Sequence, residues 1–214
     1  MSYLEVHQLT KVIGPETVLD SVSFEADRGQ VVGLEGQNGS GKTMAMRAVC
    51  GLIRPTEGEV RVGDALLWRD ADFPPSVGLL IEGPSLLDSY SARANLELVA
   101  SVRKVADSTD IERALARVGL DPNDRRHVRK YSLGMKQRAG IAMAVMEAPD
   151  LLVLDEPTNA LDASARETLA KIIRQERERG AAVLLSSHDG EFLGGACDVI
   201  YHMELGRVTG CEGV

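Results

Sequence analysis

The residues best suited to chemistry form a glycine-rich run, Gly36-Gln37-Asn38-Gly39-Ser40-Gly41-Lys42-Thr43. Glycines allow backbone conformations that a side chain would block, so successive N–H groups can turn inward around phosphate oxygens. The run follows an apolar stretch, Val31–Leu34, and opens a helical pattern, so a helix N-terminus adds partial positive charge there. In this pattern Lys42 reaches the terminal phosphates and the Thr43 hydroxyl ligates Mg²⁺. Far downstream, Leu151–Leu154 reads as an apolar strand ending in Asp155 and Glu156. Ligands gather at the carboxyl ends of parallel strands, so both acids should share an edge with the glycine-rich run. Asp155 is suited to orient the metal's coordination shell, and Glu156 to polarise an attacking water. A third group begins at Ser132, which with Gly134 opens an apolar helix carrying Ala139, Ala142, Met143 and Met146 on one face. A capped helix start with free N–H groups is a second anion-seeking end.

These groups need a frame. Val31–Leu34, Val77–Ile81, Leu151–Leu154, Ala182–Leu185 and Val199–Tyr201 are short continuous apolar runs, the pattern of parallel strands buried on both faces. Helical periodicity lies between them, over Lys42–Leu52 and over Ala163–Arg179, which stops at Gly180. The alternation predicts an α/β fold with a largely parallel central sheet. Tyr3–Asp27 reads as two strands turning at Gly14-Pro15, an antiparallel flap before that sheet. From about Ser91 to Met146 the pattern is helical. Thr109-x-x-Glu112 is the expected capping-box start of one helix and Gly119 its stop. No linker or repeat divides the chain.

Composition narrows the partners. There are 214 residues with 24 Lys+Arg against 32 Asp+Glu, a net charge of −8, which disfavours a broad nucleic-acid-reading face. No stretch free of Asp, Glu, Lys and Arg exceeds nine residues, short of the roughly 20 that a membrane-spanning helix needs. The N-terminal residues lack the pattern of a secretory signal. Cys50, Cys197 and Cys211 have no metal-ligand spacing and read as isolated thiols of a reducing compartment. The basic cluster Arg125–Lys130 reads as a solvated helix end.

Taken together, GQNGSGKT, SLGMKQR, LLVLDEPTNALD and SSHD occur in an order that resembles the nucleotide-binding subunit of ATP-binding cassette (ABC) transporters, in particular the bacterial bacitracin-resistance and lantibiotic-immunity group. The resemblance spans nearly the whole chain. It implies a P-loop ATPase core over residues 1–214, with the antiparallel flap at its N-terminus and a helical subdomain at about 91–146. It also implies a head-to-tail homodimer that closes over two ATP molecules with Mg²⁺. Each site would take Gly36 to Thr43, Asp155, Glu156 and His188 from one subunit and Ser132, Leu133 and Gly134 from the other. His188 would hold the γ-phosphate and the water, and Asp162 would link the two sites.

Three positions depart from the family pattern. Ile13 stands where an aromatic usually stacks on adenine, so apolar contact replaces stacking. Glu82 stands where a metal-contacting glutamine is usual, which keeps an oxygen for Mg²⁺ but adds negative charge. Ala160 stands where glycine is frequent. The expectation is that Glu82 tunes the coupling of ATP state to the membrane partner.

The implied function is ATP hydrolysis that drives a separate transmembrane permease from the cytoplasmic face, exporting an antibiotic peptide or drug, with no nucleic acid as partner. Three rivals share these motifs: a DNA-maintenance clamp, a two-cassette translation factor and an ATP-gated binding module. A clamp would need a long coiled coil between Lys42 and Asp155, and no sustained heptads occur there. A translation factor needs two cassettes, and Glu156 argues against a module that only binds.

Overall fold

The computed structural model describes residues 2–214. Along the chain come β1 (Leu4–Ile13), β2 (Glu16–Ala26), β3 (Val31–Glu35), α1 (Lys42–Val49), β4 (Glu57–Val62), β5 (Ala65–Leu66), β6 (Val77–Leu80) and α2 (Ala92–Arg103). They continue with α3 (Ser108–Arg117), α4 (Leu133–Val145), β7 (Leu151–Asp155), α5 (Ala163–Glu178), β8 (Ala182–Ser187), α6 (Gly190–Ala196), β9 (Val199–Glu204) and β10 (Arg207–Gly213).

The strands separate into two sheets. A four-stranded antiparallel sheet runs β2-β1-β4-β5, and a six-stranded sheet runs β10-β9-β3-β8-β7-β6. Within the larger sheet only the β9–β10 hairpin is antiparallel; the other pairings are parallel. The mixed α/β architecture matches the sequence expectation.

Continuous apolar runs form here because both faces of the larger sheet are covered. On β7, Leu152 and Leu154 pack into one core cluster with α4 and α5, while Leu151 and Val153 pack into another beneath the flap. Val183 and Leu185 of β8 side with the first, Ala182 and Leu184 with the second. Met46 and Val49 of α1 belong to the cluster beneath the flap, so α1 is held by its apolar face while its N-terminus stays at the sheet edge. The register Asp155↔Ser186 and Glu35↔Ser187 brings the carboxyl ends of β7, β8 and β3 level. β3 lies between β8 and β9, where the sheet extends in both directions, and such a point opens a crevice for a ligand.

Several local expectations shift. The flap gains β4 and β5, whose few apolar positions (Val60, Val62 and Leu66) gave no strong alternation. The α1 helix ends at Val49, because Gly51 at φ 75° breaks it before Leu52. The capping box opens two residues before Thr109: the Asp107 side chain accepts from Thr109 N and Asp110 N, and Asp110 returns a bond to Asp107 N. An ionised aspartate one position outside the helix outcompetes the threonine hydroxyl as cap. The short helix α6, with three glycines in seven residues, has too little propensity to stand out in sequence.

Candidate phosphate site at the end of the parallel strands

Between β3 and α1 the glycine-rich run wraps around a cradle. A Cβ on Gly36 would lie 2.3 Å from Met203 O and 2.6 Å from Ser40 Oγ, so only glycine lets the loop close there. Gly41 sits at φ 104° as the N-cap of α1 and gives no side-chain cap. The other five α-helices among the described residues are all capped by a side chain, from Ser91, Asp107, Ser132, Asp162 and Asp189. The first-turn N–H groups of α1 are thus left for an outside acceptor, and an anion is the natural one. Ser40 Oγ is buried in the same loop without a hydrogen-bond partner.

Lys42 is 5% exposed. Its Nζ donates to Gly36 O at 2.6 Å and Gln37 O at 3.1 Å, and it lies 3.7 Å from Glu156 Oε1. Thr43 Oγ1 donates to Asp155 Oδ2 at 2.9 Å, and Ser186 Oγ donates to Asp155 Oδ1 at 2.5 Å. Ser186 also accepts from Glu156 N at 2.9 Å. Glu156 adopts φ 47°, a left-handed backbone held where strain usually serves function. Its Oε2 meets His188 Nδ1 at 2.9 Å, while Oε1 is buried with no hydrogen-bond partner. Buried polar atoms are ordinarily hydrogen-bonded, so a carboxylate oxygen held only by the lysine at 3.7 Å keeps its hydrogen-bonding capacity for a polar group in the cleft.

Two clefts border the loop. One, of about 620 Å³, is lined by Glu16, Thr17, Val18, Asn38 to Met44, Glu156, Leu205 and Gly206. The other, of about 550 Å³, is lined by Glu35 to Ser40, His188 and the β9–β10 turn. A third, of about 450 Å³, joins Thr43, Glu82, Asp155, Glu156, Leu133 and Ala160.

The structure brings together Gly36 to Thr43, Asp155, Glu156, His188 and Glu82. Ile13 is half-exposed at the end of β1 and is not part of the first cleft's lining, which takes Glu16, Thr17 and Val18 from the same hairpin. Ser132 is the N-cap of α4, accepting from Met135 N at 3.2 Å. Leu133 beside it is 67% exposed, and a Cβ on Gly134 would come within 2.7 Å of Ala160 O. Asp162 caps α5 through Ala165 N at 2.8 Å. Ala160 holds φ 61°, a conformation glycine adopts more easily.

Sequence reasoning missed three side chains that hold this site. Ser186 spans Asp155 and Glu156. Gln137 of α4, 4% exposed, donates to Pro157 O at 3.2 Å and tethers the loop after β7. Arg47 pairs with Glu82. The S-S that follows Ala182–Leu185 was the only sequence signal for the first; the other two join segments far apart in the chain.

The ABC transporter family pattern matches residues 19–159, about two thirds of the chain. The chain belongs to the ABC transporter family. It is an ATP-binding subunit and an ABC ATPase. It is 45% identical over 211 residues to the uncharacterized ABC transporter ATP-binding protein YybJ of Bacillus subtilis (strain 168), covering 99% of this chain and 97% of YybJ. Identity is 38% with the lantibiotic transport ATP-binding protein SrtF of Streptococcus pyogenes, over 86% of this chain and 80% of SrtF. It is 37% with the bacitracin transport ATP-binding protein BcrA of Enterococcus faecalis, over 96% and 68%. A solved ATP-binding subunit of an ABC transporter superposes with a TM-score of 0.90 at 28% identity, covering all of this chain and 90% of its own. These relatives favour the transport reading over the clamp and module alternatives.

Proposed function

We propose that this ABC ATPase binds ATP with Mg²⁺ in the cradle of Gly36 to Thr43 and hydrolyses it to drive a separate transmembrane permease. The observation that carries the site assignment is the uncapped start of α1 beside Lys42 and Glu156 Oε1, a buried ion pair in which the carboxylate oxygen makes no hydrogen bond. Lys42 neutralises the terminal phosphates while the free N–H groups of the loop orient them. Glu156 then polarises a water for in-line attack, and His188, bonded to its other oxygen, fixes the carboxylate's direction.

The donor set suits Mg²⁺. Thr43, Asp155 and Glu82 offer hard oxygens at one cleft. These three side chains would hold the ion, and its remaining oxygens would come from phosphate and water, the habit of Mg²⁺. When bound, Mg²⁺ supplies positive charge to the β- and γ-phosphate oxygens.

Exposed Leu133, with Ser132 and Gly134, supports a head-to-tail homodimer in which these residues reach the partner's γ-phosphate and Asp162 joins the two sites. Ile13, outside the cleft lining but half-exposed on the hairpin whose Glu16, Thr17 and Val18 line it, would meet the adenine edge by apolar contact. The transport names of SrtF and BcrA support a separate permease that carries the transport path and holds the subunit at the cytoplasmic face; no helix among the described residues is long and apolar enough to cross a membrane. The helical segment at about 91–146 is the side we assign to that contact. The names of SrtF and BcrA, which specify lantibiotic and bacitracin transport, support an antibiotic peptide as the cargo, whose export we assign to the same system.

The test is size-exclusion chromatography with light scattering in Mg-ATP. The Glu156→Gln variant is expected to accumulate as a dimer while the wild type stays mainly monomeric. Identical elution of the two would refute the assignment of Glu156 and the ATP-closed dimer.

A further inference from the structure

Glu82 introduces a carboxylate where phosphate charge is to be bound, and the structure supplies its counterweight. The residue lies just beyond β6, in left-handed backbone at φ 57° and followed by Gly83 at φ 96°. Its N–H reaches Asp155 Oδ2 at 3.4 Å, so its backbone is tied to the cleft that Thr43, Asp155 and Glu156 line. Its side chain turns instead to the guanidinium of Arg47. Arg47 stands one helical turn after Thr43 on α1, so the two share a face. Thr43 meets Asp155 and Arg47 meets Glu82, two rungs between one helix and one cleft. Arg47 makes no other ion pair among the described residues, and neither does Glu82.

As a partly exposed salt bridge this pair contributes little to folding. Its worth lies in position. An uncompensated carboxylate at this cleft repels incoming phosphates, and because Glu82 is more than half exposed that repulsion is partly screened and modest in size. We infer that Arg47 is a positioning residue for Glu82: it cancels the carboxylate's charge and holds the side chain toward α1 until nucleotide and cation arrive. The inference rests on the reading of this cleft as the phosphate site.

The test is a double-mutant cycle read by binding of a fluorescent ATP analogue, in EDTA and again in saturating Mg²⁺. In EDTA, Arg47→Ala is expected to weaken binding about fivefold, since it strands one carboxylate near the phosphates. Adding Glu82→Gln to that variant should restore affinity to within about twofold of wild type, because the repelling charge is gone. Glu82→Gln alone should bind about two- to threefold tighter in EDTA, its freed arginine now facing phosphate. Arg47→Lys should stay near wild type. In saturating Mg²⁺ the Arg47→Ala defect should shrink, as the cation takes over the neutralisation.

Equal losses in Arg47→Ala and the double variant would overturn the inference, as would wild-type affinity of Arg47→Ala. Should Arg47→Ala fail to fold, weaker binding by Glu82→Gln alone in EDTA would overturn it and tighter binding would support it. Failure of the wild-type protein to bind the analogue would instead defeat the phosphate-site reading itself.

Discussion

Ser186→Ala is the sharpest test of how Asp155 and Glu156 are held. Ser186 is fully buried and bonds in two directions, donating to Asp155 Oδ1 at 2.5 Å and accepting from Glu156 N at 2.9 Å. Alanine removes both bonds and offers no replacement. A buried N–H left without an acceptor costs about 1–3 kcal/mol, and the lost bond to an ionised carboxylate about 1.5–3 kcal/mol. Asp155 keeps its Thr43 contact, so the two terms overlap and a total near 3 kcal/mol is expected. For a chain of this size that is a fall in melting temperature of about 6–12 °C without nucleotide. The left-handed turn at Glu156 is also freed, and the turnover rate should fall at least about tenfold, since a misplaced base costs that much. Thermal unfolding followed by circular dichroism, with phosphate release measured on the same sample, reads both effects. A melting shift under 2 °C with an unchanged rate, on a scale where about 1 kcal/mol moves it 2–4 °C, would refute the claim that Ser186 braces the two acids.

Two further predictions follow from the same structure. Burial pushes the Cys50 and Cys197 thiols up to about 12, whereas Cys211 is exposed. Iodoacetamide at pH 8 should therefore modify one thiol in the native protein and three after unfolding; two rapid native adducts by mass spectrometry would contradict the burial. Near α4, the Arg126 guanidinium beside Asp124 holds its carboxyl down at about 2, with help from Arg126 N and the Tyr131 hydroxyl. A depressed folded pKa stabilises the native state above the unfolded value near 4, and that increment is lost as pH falls toward about 2. Denaturant midpoints of the wild type should drop across that window more steeply than those of Asp124→Asn, and equal slopes would contradict the pairing.

The parts of the site legible in sequence are those set by local spacing. Gly36 to Thr43 form one continuous turn into a helix, and Asp155-Glu156 end an apolar strand, so both could be placed without knowing the register. Ser186 could not, because its role appears only when β7 and β8 align Asp155 with Ser186. Arg47 and Glu82 meet across two elements, and nothing in either local pattern marks the pair. The parallel sheet was legible because Leu151–Leu154 and Ala182–Leu185 are apolar on both faces. β4 was not, since Glu57, Glu59 and Arg61 alternate with only two valines and a glycine at a solvent-facing rim. At α3 two capping residues compete within three positions, and spacing alone favoured Thr109 over Asp107.

The central claim is that Glu156 activates water on a phosphate held by Lys42 and the uncapped start of α1. Steady-state release of inorganic phosphate from Mg-ATP, measured for wild type and Glu156→Gln alongside nucleotide-induced heat stabilisation, tests it most directly. The account predicts release by the wild type, a drop of at least about a hundredfold in the variant, the range for losing a general base, and stabilisation by ATP in both. A variant that releases phosphate at the wild-type rate, or a wild type that gains no stability from ATP, would contradict it.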